Sequence, residues 1–241
     1  MFAPRSYVAD RQTGALVLSD GSVFEGWCFG ADRSTTGHLV FSTNMTGYPE
    51  SMTDPSYCGQ LLTMTYPLIG NYGAPSAELD EWGLRKSLES SHIWVNGLLV
   101  EMYSDAKDHW QATRTLGEWM DESGVPGLSG VDTRALTKLI RADPSLLGRI
   151  ESPGNISAVG TAFVDPSKSV LQETVSTKQV QEFGNGSTHI VCVDLGIKHN
   201  ILRHLLERDT RLTVVPHDYD YTSMDFDGLF LSNGCVAGSR T

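Results

Sequence analysis

Apolar residues along the chain alternate between short β-branched runs and stripes at helical spacing. Ala15–Leu18 and Val23–Phe29 are apolar runs joined across Ser19, Asp20 and Gly21, a hairpin signature. His38–Thr43 and Leu61–Tyr66 read as further strands, the second stopped by Pro67, and Ile93–Tyr103 reads as a strand bent or bulged at Gly97. Leu79, Trp82, Leu84 and Leu88 recur at roughly helical spacing and predict a helix. A second helix is expected from the stripe Ala112, Leu116, Trp119 and Met120, ended by Gly124 and Pro126. A third, carrying Leu136, Leu139 and Ile140, follows Asp132 as N-cap and stops before Pro144. All three stripes read as core-facing.

Between Glu151 and Thr188 the pattern fades. Gly, Ser, Thr, Pro and Asn dominate and no period persists, so this stretch reads as a linker, with the second domain starting near Gly184–Thr188. Ile190–Asp194 is then a short continuous apolar run, as expected of a strand covered on both faces of a parallel sheet. A helix carrying Ile197, Ile201 and Leu205 follows, then strands at Leu212–Pro216 and Gly228–Ser232. Strand, helix, strand, strand is the opening of a doubly wound α/β domain. Such a sheet needs about five strands to cover its helices, so the second domain reads as unfinished.

Charge and cysteine content narrow the function class. Eighteen basic and 29 acidic side chains in 241 residues give a net charge of −11, which argues against nucleic acid or anionic membranes as partners. No apolar stretch is long enough to span a bilayer, and the first residues lack a secretory apolar core, so a cytoplasmic protein is expected. Four cysteines without a CxxC pair give neither a disulfide framework nor a metal site; Cys28 and Cys192 sit in apolar runs and read as core thiols. His199 and His204 lie about 140° apart on the expected helix, a poor arrangement for a shared metal. Phosphate-loop, dinucleotide, serine-hydrolase and zincin motifs are absent.

Two loops carry candidate chemistry. Asn44–Tyr57 packs Gly47, Pro49, Asp54 and Pro55 among hydroxyls and two tyrosines. It is read either as an ordered turn or as a rigid grip on a small polar ligand. Leu229–Gly234 closes an expected parallel strand, where ligands collect in open α/β sheets and glycine lets backbone N–H groups approach an oxyanion. The alternative there is a plain Asn-Gly turn.

At these loops the chain resembles the small, glutamine-hydrolysing part of carbamoyl-phosphate synthase. The resemblance rests on Asn44-Met-Thr-Gly-Tyr-Pro-Glu50, Thr53-Asp-Pro-Ser-Tyr57, Thr65–Gly73, Gly130–Lys138, Val193–Asn200 and Leu229–Gly234, and runs from about Gly14 to Gly234. Asp80–Gly83 and Ser145–Gly148 look closest to the eukaryotic synthase that begins a multifunctional pyrimidine-synthesis protein. The resemblance implies an α/β chain: residues 1–150 as a β/β/α layered amino-terminal domain, 151–188 as linker, and 189–241 as the start of a flavodoxin-like class I glutaminase domain. It implies L-glutamine as ligand, with Ser56 binding it across the domain interface and Gly234 bordering the oxyanion site. It also implies a synthetase partner, a large subunit or fused domains, which holds ATP and Mg, while this chain carries no cofactor of its own.

Departures from that family bear on activity. The family continues Ser-Asn-Gly-Pro-Gly-Asp-Pro, whereas this chain reads Ser232-Asn-Gly-Cys-Val-Ala-Gly238, placing Val236 where the second ligand glycine stands. The family's nucleophilic cysteine, its histidine and its glutamate lie further on, so no catalytic residue is expected here and the chain is read as truncated. Cys235 has no base positioned beside it by a completed sheet and is not read as the nucleophile. The rival reading is a non-catalytic module docking on the synthetase; a weaker third is a ligand-binding domain unrelated to nitrogen transfer.

Overall fold

Asp20 Oδ1 accepts the Ser22 N–H at 2.8 Å and closes the turn between two antiparallel strands, β1 (Thr13–Leu18) and β2 (Val23–Gly30). The hairpin is as the sequence predicts. The computed structural model describes residues 11–110, 112–153 and 162–234. They divide into two compact units.

The first unit holds the described residues of Met1–Met52, Gly59–Ser76 and Val95–Pro166. After the hairpin come β3 (Thr35–Ser42), α1 (Tyr48–Thr53), β4 (Gln60–Met64), β5 (Leu68–Ile69), β6 (Ala74–Pro75) and β7 (Gly97–Val100). Then follow β8 (Met102–Tyr103), β9 (Ala112–Arg114), α2 (Leu116–Glu122), β10 (Pro126–Ser129), α3 (Thr133–Ala142) and β11 (Leu147–Glu151). Seven strands close into a barrel in the order β1-β11-β3-β4-β7-β10-β2. The β3, β4, β7 and β10 neighbours pair in parallel and the rest are antiparallel. Leu16, Leu18, Leu39, Leu61, Leu99 and Leu128 fill its interior, and Leu136 and Ile140 of α3 pack into the same cluster. Asp132 caps α3 by accepting the Ala135 N–H at 2.8 Å, as expected from its position. Thr115 and Glu118 form a reciprocal capping box on α2, so that helix starts four residues later than the apolar stripe, and Ala112 lies in β9.

The second unit holds the described residues of Thr53–Cys58, Ala77–Trp94 and Ser167–Thr241. Its elements are α4 (Leu171–Val175), β12 (Gln181–Phe183), β13 (Thr188–Val193), α5 (His199–Leu206), β14 (Thr210–Val215) and β15 (Gly228–Leu231). The sheet order is β12-β14-β13-β15; β14, β13 and β15 are parallel and β12 is an antiparallel edge. Cys192, Leu202, Leu206, Leu212 and Val214 form its core with Leu84.

Two further expectations differ from this arrangement. Residues 79–88 are not helical: Asp80 Oδ1 accepts the Trp82 and Leu84 N–H groups at 3.0 and 2.9 Å, and Gly83 takes a φ of +81°. An acidic side chain that bonds its own downstream backbone, followed by a glycine, favours a turn over a helix. Residues 171–183, placed in the linker, supply α4 and β12, and β12 extends the second sheet. Each is too short to show a period in sequence. Among the described residues no helix is long and apolar enough to cross a membrane.

Candidate functional site

Both candidate residues, Ser56 and Gly234, belong to the second unit. The motif Asn44–Tyr57 splits into two parts with different work. In its first part Tyr48 is buried, stacks on Tyr72 with ring centroids 4.2 Å apart and donates its hydroxyl to Gly73 O at 2.6 Å. The Tyr72 hydroxyl accepts the Gly47 N–H at 2.8 Å. Burial pushes the Tyr48 phenol well above its ordinary value, so it stays neutral. This part is a packed turn of the first unit.

The second part faces the other way chemically. Pro55–Tyr57 is one 3₁₀ turn capped by Asp54, whose Oδ1 accepts the Ser56 N–H at 2.9 Å. The other oxygen, Oδ2, pairs with Lys198 Nζ at 2.7 Å. Burial alone would lower the Lys198 ammonium, but the hydrogen bond to Asp54 and the charges of Asp54 and Glu89 reverse this and hold it above the ordinary lysine value. Lys198 is therefore charged at neutral pH and fastens the Ser56 turn to the start of α5.

That helix start is built without a side-chain cap of its own. Glu89 supplies one: its carbonyl accepts the His199 N–H at 2.8 Å and its carboxylate Oε2 accepts the Asn200 N–H at 3.1 Å. The adjoining residues grip the Ser56 side as well. Glu89 N–H donates to Thr53 Oγ1 at 3.0 Å and Ser90 Oγ to Thr53 O at 2.7 Å.

Between β13 and α5 the chain turns through Asp194–Lys198. The buried Asp194 accepts the Gly196 and Ile197 N–H groups on Oδ1 at 2.9 and 2.8 Å, and the Thr177 N–H on Oδ2 at 2.7 Å. Gly196 has a φ of +113°, open to glycine and costly for other residues. On the other side, Leu195 N–H donates to Ser232 Oγ at 2.9 Å and Ser232 N–H to Val193 O at 3.2 Å. A Cβ on Gly234 would lie 3.3 Å from the Leu195 carbonyl oxygen. Ser56 and Gly234 thus attach to opposite ends of one turn, Ser56 through Lys198 and Gly234 through Leu195, at the carboxyl ends of the parallel strands β13 and β15. Ser56 and Gly234 are each half-exposed.

Sequence reasoning named Ser56 and Gly234 as candidates and Asp54 as a residue of the same loop, but gave no role to Asp54, Glu89, Asp194 or Lys198, which hold the two loops to the turn. Asp194 carried a usable signal, an acidic residue ending a buried strand just before a glycine turn. Glu89 carried none, being exposed in pattern and remote in sequence. Cys235 and Val236 lie outside the described residues. Burial and then the Asp194 charge push the Cys192 thiol up to about 12, and burial raises Cys28, so neither is a thiolate at neutral pH. Among the described residues no three His, Cys, Asp or Glu side chains gather as a metal site.

Breaking the half-buried pair tests this wiring. Lys198→Met leaves the Asp54 carboxylate without its cation and is expected to cost about 1–2 kcal/mol in urea unfolding. In the double variant with Asp54→Asn the loss should be less than the sum of the two single losses; additive losses would show that the pair holds nothing.

Residues 16–150 match the family model of the carbamoyl-phosphate synthase small chain, CPSase domain. The chain is 48% identical over 225 residues to "Carbamoyl-phosphate synthase [ammonia], mitochondrial" of Homo sapiens, covering 92% of this chain and 15% of that protein. It is 46% identical over 220 residues to "Multifunctional protein CAD" of Squalus acanthias, covering 91% and 10%. It is 44% identical over 239 residues to "Carbamoyl phosphate synthase arginine-specific small chain" of Neurospora crassa, covering 96% and 52%. The chain thus spans from a tenth to about half the length of these relatives.

Proposed function

The chain belongs to the carbamoyl-phosphate synthase small-chain family, and from that premise we propose that its second unit binds L-glutamine, the nitrogen donor for carbamoyl phosphate made by a synthetase partner. The observation that supports this reading is the shared turn: the Ser56 loop, tied through Asp54 to Lys198, and the Gly234 backbone, lying against Leu195, attach to opposite ends of Leu195–Lys198 at the carboxyl ends of parallel strands. A hydroxyl and freely approachable backbone groups suit a carboxamide, which needs both donors and acceptors. ATP and Mg belong to the synthetase partner in this reading, a large subunit or fused domains, and the chain serves the pyrimidine or the arginine route in the cytoplasm.

In domain terms the first unit corresponds to the family's amino-terminal domain, and the second, with β12 as an added edge strand, to the beginning of a flavodoxin-like class I glutaminase. The parallel β14-β13-β15 arrangement with α5 between β13 and β14 supports the last assignment. In this reading the described residues of the second unit serve to bind glutamine, and no ammonia release by the chain on its own is expected. Titration calorimetry tests binding: L-glutamine should bind the wild-type chain, Ser56→Ala should weaken it about tenfold or more, the loss of a buried polar contact, and ammonia should stay at background in both. Equal binding by Ser56→Ala would remove Ser56 from the site.

A second reading, a non-catalytic docking module for the synthetase region, is favoured by one observation. The human relative's name designates ammonia, yet it shares 48% identity with this chain over 225 residues. Copurification with a synthetase partner in the absence of any glutamine response supports that reading over the first.

A further inference from the structure

The outer wall of the first unit's barrel carries two adjoining cavities that share Trp27 and Gly130, of about 500 and 370 Å³. In the larger, strand register sets the chemistry. Glu25 on β2 stands opposite Ala15 on β1, and Ala15 opposite Glu151 on β11. Leu16 and Leu18 face the core, so Ala15 and its cross-strand neighbours face out. With strands about 4.8 Å apart, the two glutamates flank a single methyl group at a Cα separation of roughly 10 Å. Trp27 forms the wall beside them and is 39% exposed, a large aromatic left open to solvent. Its position is set from beneath: a Cβ on Gly130 would lie 2.5 Å from the ring, so only glycine there lets the indole lie down.

The charges around this wall are unequally answered. Glu151 takes the Arg149 Nε at 2.8 Å, and Arg11 pairs with Asp105 while stacking 4.5 Å over the Tyr103 ring. Glu25 and Glu101 make no ion pair among the described residues. An aromatic face next to an unanswered carboxylate is a seat for an organic cation. On the far side of Trp27 the smaller cavity presents Leu68 and Met102, paired across β5 and β8 and exposed to 37% and 50%, with Glu101 at its edge.

We propose that this double cavity docks a partner polypeptide segment, which lays a guanidinium or ammonium side chain on Trp27 between Glu25 and Glu151 and an apolar side chain on Leu68 and Met102. A free amino acid fills one seat and leaves the other, whereas an extended segment fills both. A second copy of this chain is disfavoured as occupant because two bodies of net charge −11 repel. The glutamine reading plays no part here, since every residue involved lies in the first unit.

The probe is the peptide acetyl-Leu-Gly-Arg-Gly-Leu-amide, titrated into the whole chain at low salt and compared with the same peptide carrying neutral citrulline for arginine. The citrulline peptide should bind about tenfold more weakly. Glu25→Gln and Met102→Ser, both exposed positions, should each weaken the arginine peptide about threefold or more without moving the thermal midpoint, and Trp27→Phe should retain part of the affinity. Equal binding of the citrulline peptide would overturn the cation seat. Wild-type affinity in Met102→Ser would overturn the apolar seat. N-acetyl-argininamide binding as tightly as the peptide would make this a small-molecule site, and self-association abolished by Glu25→Gln would make it a face between copies; either result overturns the proposal.

Discussion

Asp194→Ala should cost about 3–5 kcal/mol in urea unfolding of the second unit, the largest single-residue effect expected at this site. The carboxylate is buried and accepts three backbone N–H groups, from Gly196, Ile197 and Thr177. Alanine leaves all three donors without a partner, at about 1–3 kcal/mol for each buried unsatisfied group, partly offset by water entering the space. Asp194→Asn separates the two oxygens. Its carbonyl can keep the Gly196 and Ile197 bonds, but its amide then meets the Thr177 N–H donor to donor, so roughly half the loss is expected. The alanine variant should also abolish any glutamine response, because Leu195–Lys198 links both halves of the site. A loss below about 1 kcal/mol for Asp194→Ala would show that the turn is held by its chain path rather than by this carboxylate.

The second large effect is a pH dependence centred on His199. Burial, then the positive charges of Arg203 and Arg85, lower its imidazole to about 4, with Asp80 opposing. Its Nδ1 is buried and has no hydrogen-bond partner among the described residues. In the unfolded chain the same group titrates near 6.5, so below that pH the unfolded state binds the proton and the folded state does not. Stability is therefore whole above about pH 6.5 and falls as the pH drops towards 4. Between pH 7.5 and pH 5 this one group should account for about 2 kcal/mol. His199→Gln removes the titration, so the difference in unfolding free energy between wild type and variant should change by that amount over the interval. A pH-independent difference would show that the imidazole is solvated in the folded state.

The sequence was most legible where one local preference ruled. Asp132 announced α3 because an aspartate before an apolar stripe bonds the first free amides, and Ile190–Val193 announced a covered parallel strand because both faces needed apolar side chains. It misled where two preferences competed. The Leu79–Leu88 stripe has helical spacing, but Asp80 bonds its own turn and is held there by Arg203 Nε at 2.8 Å, a partner 123 residues away. Burial would raise the Asp80 carboxyl, yet the Arg203 bond and the Leu84 and Trp82 amides outweigh it and hold it below the ordinary value. α4 and β12 were illegible for a simpler reason: each contributes only one or two apolar contacts, Leu171 and Val175 in one and Phe183 in the other. At the site, Ser56 and Gly234 were reached through motif resemblance, while the ion pair and the carboxylate that align their loops join positions far apart in the chain.

Amide-resolved NMR during a glutamine titration addresses the shared-turn site most directly. Signals of Ser56, Leu195–Lys198 and Gly234 should shift together with one dissociation constant, while amides of the first unit's barrel stay in place. Separate constants for the Ser56 and Gly234 signals, or shifts confined to the barrel, would contradict a single glutamine cradle built on that turn.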